Sequence, residues 1–232
     1  MVAENIADGV TIFGVSGTHS GGGGADPTDF IENHDTWASY TNLSVSKIAT
    51  GTFYNCLSLT TVSFPACSYI GTYAFYYCAS LTTVSFPVCS YIGSYAFYNC
   101  ASLTTVSFPV CTTIGNQAFY YCTSLTTVSF PACTTIGNYV FYYCISLTTV
   151  SFPACSYIGS YAFSRCCKLI SLYLTSSSYV TLANSNAFSS TPIGGYSASA
   201  GKYGSIYVPA SMLASYKTRT NWTYFSSRFV GI

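Results

Sequence analysis

The chain has 232 residues, half of them apolar, but only 6% are charged and the net charge is +1. No apolar run approaches the roughly 18 residues of a transmembrane helix, and no stretch is basic enough to predict nucleic-acid binding. Neither membrane insertion nor a nucleic-acid partner is therefore expected. The few charges are segregated: all six acids lie between Glu4 and Asp35, and six of the seven bases lie from Arg165 onward, Lys47 being the other. Nothing charged occurs between Ile48 and Ser164.

In chain order, Met1-Val2-Ala3-Glu4 carries neither the basic start nor the apolar stretch of an export signal, so such a signal is expected to lie outside this sequence. The run Glu4-Asn5-Ile6 to Gly17-Thr18 reads as two short strands with glycine turns. Gly21 to Gly24 read as a flexible linker, giving an N-terminal module over residues 1–24 that is loosely placed. Residues 25–47 are expected to cap the first coil of a repeat region, with Phe30, Ile31, Trp37 and Tyr40 covering an apolar end and acidic neighbours facing water.

From residue 48 to 188 the sequence repeats. Ile48, Ile70, Ile92, Ile114, Ile136 and Ile158 mark a period of 22 residues, the signature of stacked supersecondary units. Within one unit, Leu81-x-x-Val84-x-Phe86-x-x-Cys89 follows the leucine-rich pattern. Val84 and Phe86 share one face of a short strand, and Thr83 and Ser85 share the other. Pro87 ends the strand. Ile70, Ala74 and Cys78 are spaced i, i+4, i+8, which predicts about two turns of helix. The predicted fold class is thus an α/β repeat solenoid, with one parallel β-sheet and short helices on the opposite side. Residues 189–232 then read as a Ser/Gly-rich loop, a strand ending at Val208, a helix from Ala210 to Tyr216 opened by Pro209, and a closing apolar cap of Trp222, Tyr224, Phe225 and Phe229.

Eleven of the twelve cysteines, Cys56 to Cys166, recur every 11 residues, and Cys167 is the extra one. Two per coil at fixed phase predicts two inward columns of buried thiols. Disulfides within a column are disfavoured, since parallel in-register side chains seldom reach the required dihedral. No zinc-type spacing is present, and His19 and His34 lie outside the repeats. Cys167, flanked by Arg165-Cys166 and Lys168, is the one thiol worth testing for exposure. From Ile48 to Ser164 the repeats contain no His, Asp, Glu or Lys to serve as a base, and no phosphate, dinucleotide or calcium motif appears. Neither catalysis nor a cofactor is expected.

Two surfaces are candidates for binding. The strand face carries Thr61, Thr83, Thr105, Thr127 and Thr149, with Ser63, Ser85, Ser107, Ser129, Ser151 and Tyr173 beside them. Two hydroxyl columns suit glycans or extended peptide, and equally suit a merely soluble sheet; ordering of water, as in ice binding, is a remoter use. The opposite face carries Tyr73, Tyr76, Tyr77, Tyr95, Tyr98, Tyr120, Tyr121, Tyr139, Tyr142 and Tyr143, which can form an interaction surface or stack across coils. The acidic and basic ends also allow head-to-tail self-association, besides their plainer role as polar caps.

The unit Ile-Gly-x-Tyr-Ala-Phe-x-x-Cys-x-Ser-Leu-Thr-x-Val-x-Phe-Pro resembles the BspA-like leucine-rich repeats of bacterial surface proteins, over roughly residues 48–188. The Pro-x-Cys-x-x-Ile connection is shorter than in that pattern. The resemblance implies a right-handed solenoid, an adhesive role toward a cell-surface protein or glycan, and an extracellular or cell-surface location. Residues 4–18 resemble a small module of phage and prophage tail proteins. That resemblance implies the alternative of a tail-appendage part, located on a virion.

Overall fold

The computed structural model describes residues 10–12, 15–16, 38–195 and 201–232. The expected linker and the cap residues Phe30, Ile31 and Trp37 lie outside the described residues. The chain winds as a parallel β-solenoid, and each 22-residue coil has three sides.

The first side is the expected Thr-Val-Ser strand. It recurs as β3 (Ser39–Asn42), β5 (Thr61–Ser63), β7 (Thr83–Ser85), β9 (Thr105–Ser107), β11 (Thr127–Ser129), β13 (Thr149–Ser151), β15 (Ser171–Tyr173), β17 (Ser205–Val208) and β18 (Phe229–Gly231). Within three blocks, β3 to β7, β9 to β11 and β13 to β18, successive copies pair in parallel, Thr61 with Thr83 and Thr127 with Thr105. At the N-terminal end β1 (Val10–Ile12) pairs antiparallel with both β2 (Val15–Ser16) and β3; the rest of the expected module lies outside the described residues.

The second side is a strand of two residues. β4 (Lys47–Ile48), β6 (Tyr69–Ile70), β8 (Tyr91–Ile92), β10 (Thr113–Ile114), β12 (Thr135–Ile136), β14 (Tyr157–Ile158) and β16 (Thr181–Leu182) form one unbroken parallel sheet of seven strands. The single sheet expected from the sequence is therefore supplemented by a second.

The third side corrects the prediction of helices. Between Ile70 and Cys78 there is no helix but two consecutive tight turns. Tyr73 and Tyr77 sit at φ 57° and 60°, and the same two positions of later coils repeat this left-handed conformation. Alternate amides divide their labour. Ala74, Tyr76 and Cys78 donate back to the carbonyls of Gly71, Tyr73 and Phe75, three residues earlier. Tyr73, Phe75 and Tyr77 donate to Ser94, Ala96 and Tyr98 of the next coil, at 3.1, 2.7 and 2.8 Å. An α-helix would spend all of these amides within its own coil. Spending half of them between coils satisfies the buried backbone and forces a repeat of four, which mimics the i, i+4, i+8 spacing.

Stacked coils bury one column per inward position. Leu81, Phe86, Ile92, Phe97, Cys89 and Cys100, and their copies, are buried. Like rings stack on like: Phe75 on Phe97 at 5.0 Å, Phe86 on Phe108 at 5.7 Å. At the corner after Ile70 the backbones approach so closely that a side chain does not fit. A Cβ on Gly115 would come within 2.6–2.7 Å of the Ser94 and Gly93 backbone. The first coil has Ala49 at this position, with no described coil beneath it.

No disulfide joins the described cysteines. In one column each thiol donates to the coil before, Cys78 to Phe53 O at 3.0 Å and Cys100 to Phe75 O at 3.1 Å. In the other it donates within its own coil, Cys67 to Tyr69 O and Cys89 to Tyr91 O. Burial pushes the thiols of Cys89, Cys111 and Cys155 up to about 12. It raises those of Cys67, Cys100, Cys122, Cys133 and Cys144 as well.

The C-terminal segment closes the second sheet with side chains instead of a strand. Trp222 Nε1 donates to Val180 O at 2.8 Å, Asn221 Nδ2 donates to Leu182 O at 2.7 Å, and the Tyr216 hydroxyl accepts from Val180 N. Tyr216 belongs to the short α-turn α1 (Leu213–Tyr216), which comes after a 3-10 turn at Ala210–Met212. Trp222, Phe225 and Phe229 are buried, whereas Tyr224 is 74% exposed and takes no part in the closing cap expected of it.

This packing has two measurable consequences. Gly115→Ala should lower stability by about 1–3 kcal/mol or more, since the added methyl meets backbone that cannot swing away; Ala49→Gly should cost only a few tenths to about 1 kcal/mol, from chain entropy. Urea unfolding of both variants checks this. Second, the native state holds thiol protons that the unfolded chain releases above roughly pH 8.5. More protons bound in the native state means that stability falls as pH rises, by about 1.4 kcal/mol per unit for each such thiol until its native value is reached. Unfolding midpoints at pH 8, 9 and 10 should drop steeply, and a flat profile would contradict the thiol assignment.

Candidate binding surfaces

The two surfaces singled out in the sequence lie on different sides of each coil. On the strand face, Thr83, Ser85, Thr105, Ser107, Thr127, Ser129, Thr149 and Ser151 are exposed, while Thr61, Ser63 and Tyr173 are half-buried. The valine between each Thr and Ser points inward, and only Val84 among Val62, Val84, Val106, Val128 and Val150 escapes full burial. Strand parity thus leaves a hydroxyl row every other residue, as β geometry requires.

This face is not one ladder. It is hydrogen-bonded as β3–β5–β7, then β9–β11, then β13–β15–β17–β18, with a seam after β7 and another after β11. The underlying phenylalanines report the same seams. Phe64–Phe86 and Phe108–Phe130 are 5.4 Å apart, but Phe86–Phe108 and Phe130–Phe152 open to 5.7 and 6.2 Å. On the turn side the spacing stays at 4.9–5.1 Å from Phe53 through Phe119. The coils are therefore closer on the turn side than on the strand side.

The structure holds hydroxyl columns that the sequence pattern did not single out. Thr60, Thr82 and Thr126 each donate from Oγ1 to a carbonyl of the preceding coil, at 2.6, 3.0 and 3.1 Å. Ser68, Ser90, Thr112, Thr134 and Ser156 do the same at another corner. These hydroxyls are spent on the scaffold. Their signal was their repetition at the same phase as the strand, which alone does not tell a binding hydroxyl from a bridging one.

On the turn side, Tyr54, Tyr76, Tyr98, Tyr120 and Tyr142 stack in one column at 4.7–4.9 Å. Tyr73 stacks on Tyr95, Tyr121 on Tyr143 and Tyr139 on Tyr161. Tyr77 lies against Tyr76 and Tyr98. Gln117 fills a gap among the tyrosines by donating to the Tyr95 hydroxyl at 2.9 Å. Ring faces are therefore spent on other rings, and what remains outward is ring edges and hydroxyls. Burial, reinforced by neighbouring phenols, raises the hydroxyls of Tyr76, Tyr98 and Tyr120 above the ordinary tyrosine range, so these phenols are neutral at neutral pH; the charge on this side is Arg165, which lies over the Tyr142 ring.

The described residues include no Asp, Glu or His, and among them no group of three potential metal ligands converges. Cys167 is half-buried and directs its Sγ toward Ile145 O at 3.8 Å, while Cys166 continues the inner column, donating to Phe141 O at 3.0 Å. No described helix is long and apolar enough to cross a membrane. What these surfaces offer chemically is hydrogen bonding and shape.

Comparisons with known proteins agree with this geometry. The model of the BspA type leucine rich repeat region matches in six copies, over residues 46–166 and 90–200. No curated protein sequence matches the chain. Among solved structures, the leucine-rich repeat protein of T. pallidum is similar at 29% identity and a TM-score of 0.60, over 63% of this chain and 73% of that one. A leucine-rich repeat protein from Eubacterium ventriosum shares the fold at 24% identity and a TM-score of 0.50, over 63% of this chain and 42% of that one. With six copies of the repeat matched across more than half its length, the chain belongs to the BspA type leucine-rich repeat family.

Proposed function

We propose that this protein is a non-catalytic adhesion module that recognises a protein or glycan on a cell surface, and that it works outside the cell. The strand face is its contact surface. The observation that carries this reading is the asymmetry between the two candidate faces. Tyrosine rings on the turn side are consumed by stacking on one another, whereas the Thr and Ser hydroxyls of β7, β9, β11 and β13 are exposed on the strand side. Solenoids present extended surfaces of this kind to their ligands. Membership of the family supports the reading, since the resemblance carries adhesion with it. Most core thiols are held protonated by burial, which suits a scaffold in which cysteine packs instead of reacting.

The tail-appendage alternative rests on residues 4–18, most of which lie outside the described residues, and no described contact favours it.

Replacing Thr83, Thr105, Thr127 and Thr149 together by Gln tests the surface. These side chains project outward, so circular dichroism and the unfolding midpoint should change little. Binding on an array of glycans and matrix proteins should fall by about tenfold or more, as expected when several hydrogen bonds are lost at a central contact. Equal binding by the variant and the parent would remove the strand face from consideration.

A further inference from the structure

We propose that the C-terminal end of the strand face is a subsite for an acidic sugar, so that the ligand class is a carboxylated or sulfated glycan. This rests on the adhesion reading and narrows it.

Three observations converge there. First, the threonine column does not end in a hydroxyl. Thr149 pairs with Ser171, and Ser171 with Ser205. Ile206 pairs with Phe229, the first residue of the last strand, so Arg228, which ends the 3-10 turn just before that strand, comes next to the level of Ser205. Second, two lysines come shortly before adjacent strands of this block in the chain. Lys168 and Lys202 each precede one of the paired residues Ser171 and Ser205 by three positions, and both are exposed. No Asp or Glu occurs after Asp35, so no described acidic side chain neutralises these cations. Third, the Arg228 guanidinium is held, lying 3.8 Å over the ring of Tyr203. Such stacking fixes the planar fork while its N–H edges remain available to an anion.

The serine column changes character at the same place. Tyr173 stacks on Tyr207 at 4.4 Å, and the next residue in that column is Val230, which is 40% exposed. Tyr207 and Val230 thus offer an apolar patch beside the cations. A sugar polymer has both kinds of group to match: C–H faces for Tyr207 and Val230, and acidic oxygens for Arg228, Lys168 and Lys202. Its further units would run along the neutral hydroxyl rows toward β7. A protein ligand is the outcome disfavoured by this arrangement, since nothing else on the face is charged.

The test uses the full chain and three immobilised polymers: heparin for sulfate, hyaluronan for carboxylate alone, and dextran as a neutral sugar. Two variants of equal net charge are compared. One carries Lys168→Gln, Lys202→Gln and Arg228→Gln. The other carries Lys47→Gln, Arg165→Gln and Lys217→Gln, none of which belongs to or shortly precedes β15, β17 or β18. The parent should bind heparin or hyaluronan, or both, and dextran weakly. The first variant should lose on the order of tenfold or more of the anionic binding, because charge-assisted contacts are the strong ones, and the second should change little. Binding to heparin alone identifies sulfate as the group read, and binding to hyaluronan shows that a carboxylate suffices. Equal loss in both variants would mean unspecific attraction to positive charge and would overturn the subsite. Undiminished binding of the first variant, or capture of a matrix protein with no anionic polymer bound, would overturn it too, while leaving the adhesion reading in place. Failure to bind any glycan or matrix protein would end both.

Discussion

The amides of Tyr73, Phe75 and Tyr77 are hydrogen-bonded to the following coil, not to their own, and most of the structure can be traced to that choice. It excludes a helix from this side, because a helix has no amides to spare for a neighbour. It places tyrosines in the left-handed region, at a cost of roughly 1–2 kcal/mol per residue that the inter-coil bonds and ring stacking offset. It sets the distance between coils close to a strand spacing, which is why aromatic rings stack at 4.4–5.6 Å on this side and why the corner after each Ile excludes a Cβ. The thiols belong to the same scheme: Cys78, Cys100 and Cys122 each supply one more donor to a carbonyl of the neighbouring coil.

Much of this was legible in the residues. Ile70, Leu81, Val84, Phe86 and Cys89 repeat at one period and could only be satisfied by stacking, and the alternation of Thr83, Val84 and Ser85 declared which side faced water. The turn side was not legible. A spacing of four between Ile70, Ala74 and Cys78 fits a helix and fits two four-residue turns equally well, and what separates them is a hydrogen bond to a residue 21 positions on, as from Tyr73 to Ser94. Tyrosine also hides the left-handed turn, where glycine or asparagine would have announced it; Asn55 and Asn99 occupy that conformation in two coils. Arg228 could not be recognised as coming next to the level of Ser205 until β18 was seen to pair with β17, since the spacing there no longer obeys the repeat.

The candidate surface owes its character to what the coils leave over. Backbone groups are matched between coils, rings are matched to rings, and the bridging hydroxyls of Thr82 and Ser90 are matched to carbonyls. The outward Thr and Ser of the strand side are the polar groups that the scaffold does not need. A surface assembled this way repeats itself along its length, so a ligand that also repeats can engage it at many points weakly instead of at one point strongly.

The two seams give the molecule a mechanical property. The seven-stranded sheet and the turn side join every coil to the next without interruption, whereas the strand side is joined only in blocks. A rod stitched on two sides and slit on the third bends most easily by opening its slits. Under tension or shear from an attached surface, the rod would flex at β7/β9 and β11/β13 and keep its blocks rigid, much as a jointed finger does.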